Sequence, residues 1–343
     1  MKKFLLGLAL LTLFAWLLRE YFIAVTVVEI PIRGDIRQYV AYAWNLLNNG
    51  TFSHVWPGSG TPVPDTFRGP GYPVFLAALM WLDPQGWYAL GLHAQAVLGA
   101  LTATITVLLA RHWLSNAWAF VAGALVAVWP HHVAATGALL TEVVFGFLLM
   151  LALWLSAEAM KRRSVGWAAG AGVAFSTAAL TSMISLLFPV FAGLVLWRTA
   201  LPRAALVLLA LSLLGPAAWS VRNATVDHPQ GQAGRMTMNL VQGSWPQYHA
   251  AFRSQNSSPV GKSILRAIDE EVQLLASTPR SGLRHMGARM TRDPAYYLRW
   301  YVLEKPYLLW DWDIRVGAGD IYFLEVGHSP FTTQPALRMI RAG

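Results

Sequence analysis

The sequence predicts an all-α integral membrane protein, and three observations support that class. Apolar residues make up 55% of the 343 residues and charged residues 13%, where a soluble domain has about 25% charged residues. Seven apolar runs approach the length of a membrane-spanning helix. The cations between these runs are expected to fall on one side of the membrane. A disordered chain, a disulfide-stapled module and a cysteine-ligated metal site are excluded, because charge is low and cysteine is absent.

The predicted spans follow the requirement for about 20 mostly apolar residues per crossing. In order they are Phe4–Val28, Trp87–Ala110, Trp118–Ala135, Val143–Ala159, Gly166–Leu180, Met183–Trp197 and Ala204–Ser220. The fifth and sixth are short and closely spaced, so a tight hairpin and a broken helix are both compatible with them. Within the first span, Arg19 and Glu20 are expected near the outer end or against protein, because a charge facing lipid is costly.

The loops between the spans predict the orientation. If the spans alternate, one side receives these cations: Lys2, Lys3, Arg111, Lys161, Arg162, Arg163, Arg198 and Arg203. The opposite short loops, 131–141 and 181–182, contain no lysine or arginine. Positive loops remain in the cytoplasm, so the N-terminus is predicted to be cytoplasmic. The loop 30–86 and the C-terminal tail are then predicted to lie outside the cytoplasmic membrane.

The uneven distribution of charge predicts two domains. Residues 1–220 hold 12 Lys/Arg and 7 Asp/Glu, whereas the shorter stretch 221–343 holds 14 and 10. We therefore expect a membrane domain over 1–220 and a polar, aromatic-rich extracytoplasmic tail over 221–343. A helical pattern in the tail predicts a helix over Lys262–Ala276. The net charge of +9 is explained by topology and by the tail, and no nucleic-acid partner is predicted.

The first outer loop contains the clearest candidate for chemistry. An amphipathic helix on the membrane surface is predicted by an apolar stripe at helical spacing: Val40, Ala43, Trp44 and Leu47. Gly50 provides the stop. Asp35 occupies the expected N-cap, with Gln38 as its capping-box partner. A helix cap and a catalytic base at the water–membrane boundary are both roles that this position of Asp35 allows.

Four segments follow one another in an order that resembles a known family. They read GD…YVAYAWNLLNNGTFS…FRGPGYPVFLAAL (34–79), GALLTEVVFGFLLMLALWL (137–155), GPAAWSVRN (215–223) and EKPYLLWDWD…GAGDIYFLEVGHSP (304–330). This pattern resembles the GT-C membrane glycosyltransferases, in particular the protein mannosyltransferase and aminoarabinose transferase type of glycosyltransferase family 39. The resemblance covers most of the chain and depends on the order of the segments, because no single motif is strong.

The resemblance implies a GT-C-like bundle of about seven transmembrane helices. It also implies transfer of a sugar from a polyprenyl-phosphate donor to a lipid, glycan or protein acceptor on the outer face of the inner membrane. In that family an acidic residue early in the first outer loop is the base, which assigns Asp35. Further membrane helices would follow Pro330, so a non-catalytic truncated homologue is one alternative. A transporter or flippase for lipid-linked sugars is the other.

Charge develops on the leaving phosphate during such a transfer, which favours arginine at the depth of a lipid headgroup. Arg68 and Arg222 are therefore predicted donor contacts, with headgroup anchoring as the simpler role. The simpler role for Glu142 is a favourable interaction with the dipole at the start of a helix. In the alternative, catalytic role, Glu142 faces Asp35 and either binds the acceptor or shares a divalent ion with it. The predicted substrate-binding set is completed by three further residues: Tyr72, Asn223 and Lys305.

Histidines provide the remaining candidate ligands. His131 and His132 share the loop before Glu142 and would be the ligands nearest to a divalent ion there. Adjacent histidines on a helix point in different directions, which favours an interfacial role for one of them. His93 lies inside a predicted span, where a hydrogen-bonded contact between helices is expected.

Overall fold

The computed structural model describes residues 2–226, 232–310 and 326–334. These residues are helical, apart from turns, loops and one two-stranded sheet. The helices up to residue 226 are α1 (Lys2–Val25), α2 (Gly34–Asn49), α3 (Gly71–Leu82), α4 (Trp87–Ala110), α5 (Asn116–Val128), α6 (Pro130–Ala134), α7 (Thr141–Arg162), α8 (Val165–Thr181), α9 (Phe188–Arg198) and α10 (Pro202–Ala224). The later helices are α11 (Gln232–Gln242), α12 (Tyr248–Ser254), α13 (Pro259–Ser277), α14 (Pro279–Arg292), α15 (Pro294–Arg299), α16 (Lys305–Trp310) and α17 (Pro330–Thr333), with a π-helical turn at Trp300–Glu304.

The all-α class is confirmed, and the structure contains helices of membrane-spanning length. Four helices are long and apolar enough to cross a membrane, namely α1, α4, α7 and α10. Helices α5 and α6, bent by 53° where they meet, add a fifth span if the pair is counted as one. The predicted fifth and sixth spans correspond to α8 and α9, which have only 17 and 11 residues. The predicted number of seven spans is therefore not confirmed.

The bend between α5 and α6 follows from Pro130 and is stabilised by Arg19. Proline has no N–H, so it cannot donate the helical bond to the Val126 carbonyl. The fully buried Arg19 donates instead, from Nη2 to Val126 O at 3.4 Å and from Nη1 to Ala127 O at 3.1 Å. Gly99 leaves room, because a Cβ there would collide with Arg19 Nε. The prediction that Arg19 faces protein is confirmed.

Small residues allow α8 and α10 to pack closely. A Cβ on Gly172 of α8 would lie 2.7 Å from the Leu208 carbonyl oxygen of α10. The Gly215 amide of α10 donates to Ser176 Oγ of α8 at 3.0 Å. Close contacts of this kind are typical of membrane helices, whose association depends on packing rather than on expulsion of water. The surrounding core is formed by Ala152, Ala159, Ala168, Ala171, Ala174, Phe175, Leu196, Ala204, Ala205 and Leu208.

The segment 326–334 is joined to the end of α1. Strand β1 (Val27–Val28) pairs antiparallel with strand β2 (Val326–His328). The backbone carbonyl of Val25 lies 2.8 Å from His328 Nδ1, and Gln334 Nε2 donates to the Tyr21 hydroxyl at 2.7 Å. Residues far apart in sequence are therefore held against the first membrane-length helix.

The chain divides into two compact units. Among the described residues, the first unit contains 2–64, 69–226 and 326–334, and the second contains 65–68 and 232–310. The division predicted from charge lies at 220/221, whereas the structural units are discontinuous in sequence, since 326–334 belongs to the first unit and 65–68 to the second. The core of the second unit is formed by Val241, Ile268, Leu275 and Met286. Its helix α13 extends over the predicted segment Lys262–Ala276, which confirms that helix.

Candidate functional site

Asp35 is exposed and lies in the first turn of α2. The helix begins at Gly34, and Arg33, in an extended conformation, occupies the N-cap position without a side-chain capping bond. The prediction that Asp35 is the N-cap and forms a capping box with Gln38 is therefore wrong, because Asp35 is already inside the helix. A carboxylate in the first turn still interacts favourably with the helix dipole.

The predicted apolar stripe of α2 divides between two environments. Val40 and Ala43 are buried in the protein, whereas Trp44 and Leu47 are 44% and 41% exposed. Ile36 and Tyr39, which lie closer to the start of α2, are also buried. The helix ends at the Gly50 cap, which has a positive φ of 60°, as predicted.

Tyr39 and Tyr72 connect the start of α2 to the start of α3. Tyr39 lies one helical turn after Asp35 and is buried. Its ring meets the Tyr72 ring edge to face, with centroids 5.1 Å apart and an angle of 74° between the planes. Tyr72 is fully buried, and its hydroxyl donates to Gln95 Oε1 of α4 at 2.8 Å. The first turns of α2 are thus connected to the membrane-length helix α4 through two aromatic rings and one hydrogen bond.

Gln95 is the polar centre of this cluster. It is fully buried, and its Nε2 donates to the Ala138 carbonyl at 2.8 Å and to the Thr136 carbonyl at 3.4 Å. With the bond from Tyr72, both ends of the amide are used, as a buried amide requires. The segment held by these bonds runs directly into α7, whose first turn contains Glu142. Gln95 therefore positions the chain that presents this carboxylate.

Glu142 is exposed and lies close to Tyr72. Thr141 Oγ1 is 3.5 Å from Glu142 Oε2. Burial raises the pKa of the Tyr72 phenol well above its ordinary value, and the negative charge of Glu142 adds to that rise. Tyr72 is therefore a protonated hydrogen-bond donor at neutral pH. The structure brings Glu142 and Tyr72 together, and contacts through Tyr39 extend from them to the helical turn of Asp35.

An apolar cleft of about 300 Å³ adjoins this cluster. Its lining consists of Ile23, Thr26, Val27, Val28, Pro31, Tyr88, Leu92 and Gly137. Tyr88 also lies near enough to Tyr72 to affect the pKa of that phenol, and Gly137 stands between the two carbonyls that Gln95 binds. The cleft and the polar cluster are therefore neighbours within the first unit.

Arg222 and Asn223 lie in the last turn of α10, where Arg222 Nη1 donates to Asn223 Oδ1 at 3.1 Å. The Arg222 guanidinium lies over the rings of Trp219 and Phe52, at 4.8 and 5.5 Å from their centroids. Phe52 also stacks on the fully buried Tyr42 of α2, at 4.2 Å. The predicted Arg–Asn pair is thereby held against the chain that follows α2, which is the loop that also carries Asp35.

Arg68 and Lys305 belong to the second unit. Arg68 is buried, and its guanidinium lies 5.5 Å from the centroid of the Phe67 ring. Lys305 Nζ donates to the Gly243 carbonyl at 2.8 Å and lies 5.0 Å from the Tyr301 ring centroid. These contacts lie within that unit.

No group of three metal-ligating side chains comes together within residues 2–226, 232–310 and 326–334. His131, in α6, stacks on Trp129 with ring centroids 6.4 Å apart. His93 Nδ1 lies 2.7 Å from Glu20 Oε2, which confirms the expected contact between helices. His131 and His93 therefore have local partners, and the divalent ion near Glu142 stays a prediction.

Comparison of the sequence with protein-family models and with curated proteins finds no match. The resemblance to GT-C enzymes accordingly depends on the four ordered segments. The roles of Asp35, Glu142 and Arg222 depend on their chemistry and on the contacts described above.

Sequence reasoning missed two buried polar residues of the site. Gln95 is an uncharged polar side chain within an apolar span, and such residues are typically used between membrane helices. Tyr39 lies one turn beyond Asp35 on the buried face of α2. Gln95 could have been predicted as a site residue because it is polar and lies within an apolar span. Tyr39 could have been predicted because it lies one helical turn from Asp35.

Proposed function

We propose that the chain is a membrane glycosyltransferase of the GT-C type that uses a polyprenyl-phosphate sugar as donor. The observation that carries this proposal is the placement of two exposed carboxylates, Asp35 and Glu142, at the first turns of two helices. Contacts of the buried Tyr39, Tyr72 and Gln95 connect α2 to the segment that leads into α7. Rigid elements that present exposed carboxylates beside an apolar cleft suit acid–base chemistry on a lipid-linked substrate.

In the proposed reaction, Asp35 takes the proton from the acceptor hydroxyl as its oxygen attacks the anomeric carbon. The new C–O bond forms on the face opposite the phosphate, so the configuration inverts. The bond from the anomeric carbon to the phosphate oxygen breaks, and its electron pair leaves with the polyprenyl phosphate. Glu142 orients the acceptor by accepting a hydrogen bond from another of its hydroxyl groups.

The donor is proposed to lie between the cleft and Arg222. The apolar cleft of about 300 Å³ offers a wall for the first part of the prenyl chain. Arg222, with its flat side supported by Trp219 and Phe52, has a fixed guanidinium that can bind phosphate oxygens in pairs. Arg68 belongs to the second unit, and its contact with the donor phosphate stays a prediction from its residue type.

The proposed setting is the outer face of the cytoplasmic membrane. Positive loops on one side, together with the membrane-length helices, support a cytoplasmic N-terminus. The proposed partners are the lipid-linked donor, membrane lipids, and an acceptor that is a lipid, a glycan or a protein. In this proposal, the transfer follows the passage of the lipid-linked sugar across the bilayer.

The proposal is tested with purified full-length protein in lipid nanodiscs and a panel of labelled undecaprenyl-phosphate sugars. Asp35→Asn is expected to lower transfer by at least about 100-fold, because general-base catalysis contributes roughly 10²–10⁴-fold. Glu142→Gln is expected to raise the KM of the acceptor more than that of the donor. Glu29→Gln serves as the matched control, because Glu29 is an exposed carboxylate of the same outer segment and does not itself line the cleft.

Full activity in Asp35→Asn would overturn the assignment of the base. Equal losses in Asp35→Asn and Glu29→Gln would show that outer charge in general, and not the site, supports transfer. Normal reconstitution and an unchanged thermal unfolding profile establish that each variant is folded.

A further inference from the structure

A cleft of about 390 Å³ opens in the second unit between α13, α14 and the turn after α11. It is lined by Trp245, Ala267, Glu270, Glu271, Leu274, His285, Arg289 and Arg292. The volume lies within the range of small-molecule sites, about 300–1,000 Å³. Both apolar and charged side chains contribute to its lining.

The floor of the cleft is an ion pair whose partners are already satisfied. The Glu271 side chain is completely buried and accepts from Trp245 Nε1 at 2.5 Å and from Arg289 Nη2 at 3.0 Å. Arg289 also donates to the backbone and hydroxyl oxygens of Ser244, at 3.0 and 2.7 Å, and to the Tyr297 hydroxyl at 2.6 Å. A buried pair with this many hydrogen bonds is rigid, because any movement would leave a charge unsatisfied.

Trp245 is held in place by the same network. The Arg289 guanidinium lies 4.4 Å from the Trp245 ring centroid, and the indole nitrogen is fixed by Glu271. The ring is half-buried and lines the cleft together with Ala267 and Leu274. The cleft thus has an aromatic wall whose orientation is determined before any ligand binds, which lowers the entropy cost of binding.

The mouth of the cleft supplies hydrogen-bonding groups of both kinds. Glu270, His285 and Arg292 line it and are exposed. Glu270 accepts hydrogen bonds and Arg292 donates them. Two carboxylates and two guanidinium groups surround the cleft in all, so their formal charges cancel. An anion or a cation gains little there, whereas a neutral ligand rich in hydroxyl groups can use donors and acceptors together.

We infer that this cleft binds an uncharged pyranose sugar. A pyranose has an apolar C–H face that suits an indole wall, and a rim of hydroxyl groups that both donate and accept. Glu270 and Arg292 bind the rim hydroxyls, and Trp245 contacts the C–H face. The inference depends only on side chains of the second unit and is independent of the proposed transfer reaction.

Saturation-transfer NMR on the full-length protein in nanodiscs tests the inference. The probes are the methyl glycosides of glucose, galactose and mannose, with methyl glucuronate as the anionic comparison and empty nanodiscs as the blank. At least one neutral glycoside is expected to receive saturation from the protein. Glu270→Ala and Arg292→Ala are each expected to weaken its binding about tenfold, because each removes a hydrogen bond between a charged group and the sugar.

Asp269→Asn and Arg284→Gln are the matched controls, because they alter exposed charges of α13 and α14 that do not line the cleft. Both are expected to bind the sugar as the wild type does. The inference is overturned if no neutral glycoside receives saturation, if only the glucuronate does, or if Glu270→Ala and Arg292→Ala bind as well as the controls. None of these measurements requires transfer activity, so a failure here is distinct from a failure of the proposed function.

Discussion

Replacing Tyr72 by phenylalanine removes one oxygen atom from the centre of the candidate site. The ring keeps its edge-to-face contact with Tyr39, but Gln95 Oε1 loses the donor that lies 2.8 Å away. Both Tyr72 and Gln95 are fully buried, so water cannot take the place of the hydroxyl. An unsatisfied buried acceptor costs about 1–3 kcal/mol, which is the loss of stability expected for Tyr72→Phe.

The assay is reversible unfolding in mixed micelles of increasing SDS content, followed by tryptophan fluorescence. Tyr21→Phe is the matched control, because the Tyr21 hydroxyl also has a hydrogen bond, from Gln334, but the side chain is 47% exposed. Water can replace that bond, and a change within about 0.5 kcal/mol is expected. A stability of Tyr72→Phe equal to that of the control would refute the buried hydrogen bond.

A double-mutant cycle with Gln95→Leu isolates the interaction between the two side chains. Both single variants lose the same bond, so the double variant is expected to be more stable than the sum of the single losses implies, by about 0.5–3 kcal/mol. Because burial and Glu142 raise the pKa of Tyr72, the contribution is fully present below the unfolded-state pKa of about 10. It is lost as the pH rises further, through the folded-state value. An additive cycle, or a loss of the contribution near neutral pH, would contradict this account.

Five further substitutions, two of them controls, test packing and donor binding. Gly71→Ala places a Cβ 2.7 Å from the backbone amide at the end of α8, so a loss of about 1–3 kcal/mol is expected in the SDS titration. Gly99→Ala displaces the buried arginine of α1 and is expected to lower the stability by a similar amount. Gly146→Ala is the control: its Cβ meets open space, and a gain in stability of about 0.5–1 kcal/mol is expected. Equal stabilities of the three glycine variants would contradict the packing. Arg222→Gln is expected to raise the donor KM about tenfold in the transfer assay, because a charge-assisted hydrogen bond is lost. Arg37 is a second arginine that stacks on an aromatic ring, and Arg37→Gln is expected to leave the donor KM unchanged.

The class of the fold was predictable because the membrane imposes a simple rule on composition. Long apolar runs identified α1, α4, α7 and α10, and all four have membrane-spanning length in the structure. The rule works less well for α8 and α9, where the apolar run continues through a backbone break at Ser182. Hydropathy records apolar character and not hydrogen bonding, so it cannot distinguish two short helices from two spans.

The sequence could predict those residues of the candidate site that directly precede an apolar helical pattern. Asp35 and Glu142 both precede apolar helical patterns, and both lie in first helical turns. The N-cap of α2 was placed two residues too late, at Asp35 instead of Arg33, because its position depends on local dihedral angles. The contact of Tyr72 with Gln95 joins helices that are distant in sequence, and no single-sequence pattern specifies such a pair.

The central claim is that the bond between the sugar and the lipid phosphate is broken. It is tested most directly with a donor that carries tritium in the sugar and carbon-14 in the prenyl chain, added to full-length protein in proteoliposomes with an acceptor-containing membrane extract. Separation of the two labels, with tritium on the acceptor and carbon-14 in free polyprenyl phosphate, is the result that the account predicts. Movement of both labels together across the bilayer, with the glycosyl phosphate intact, would contradict it and would identify a transporter.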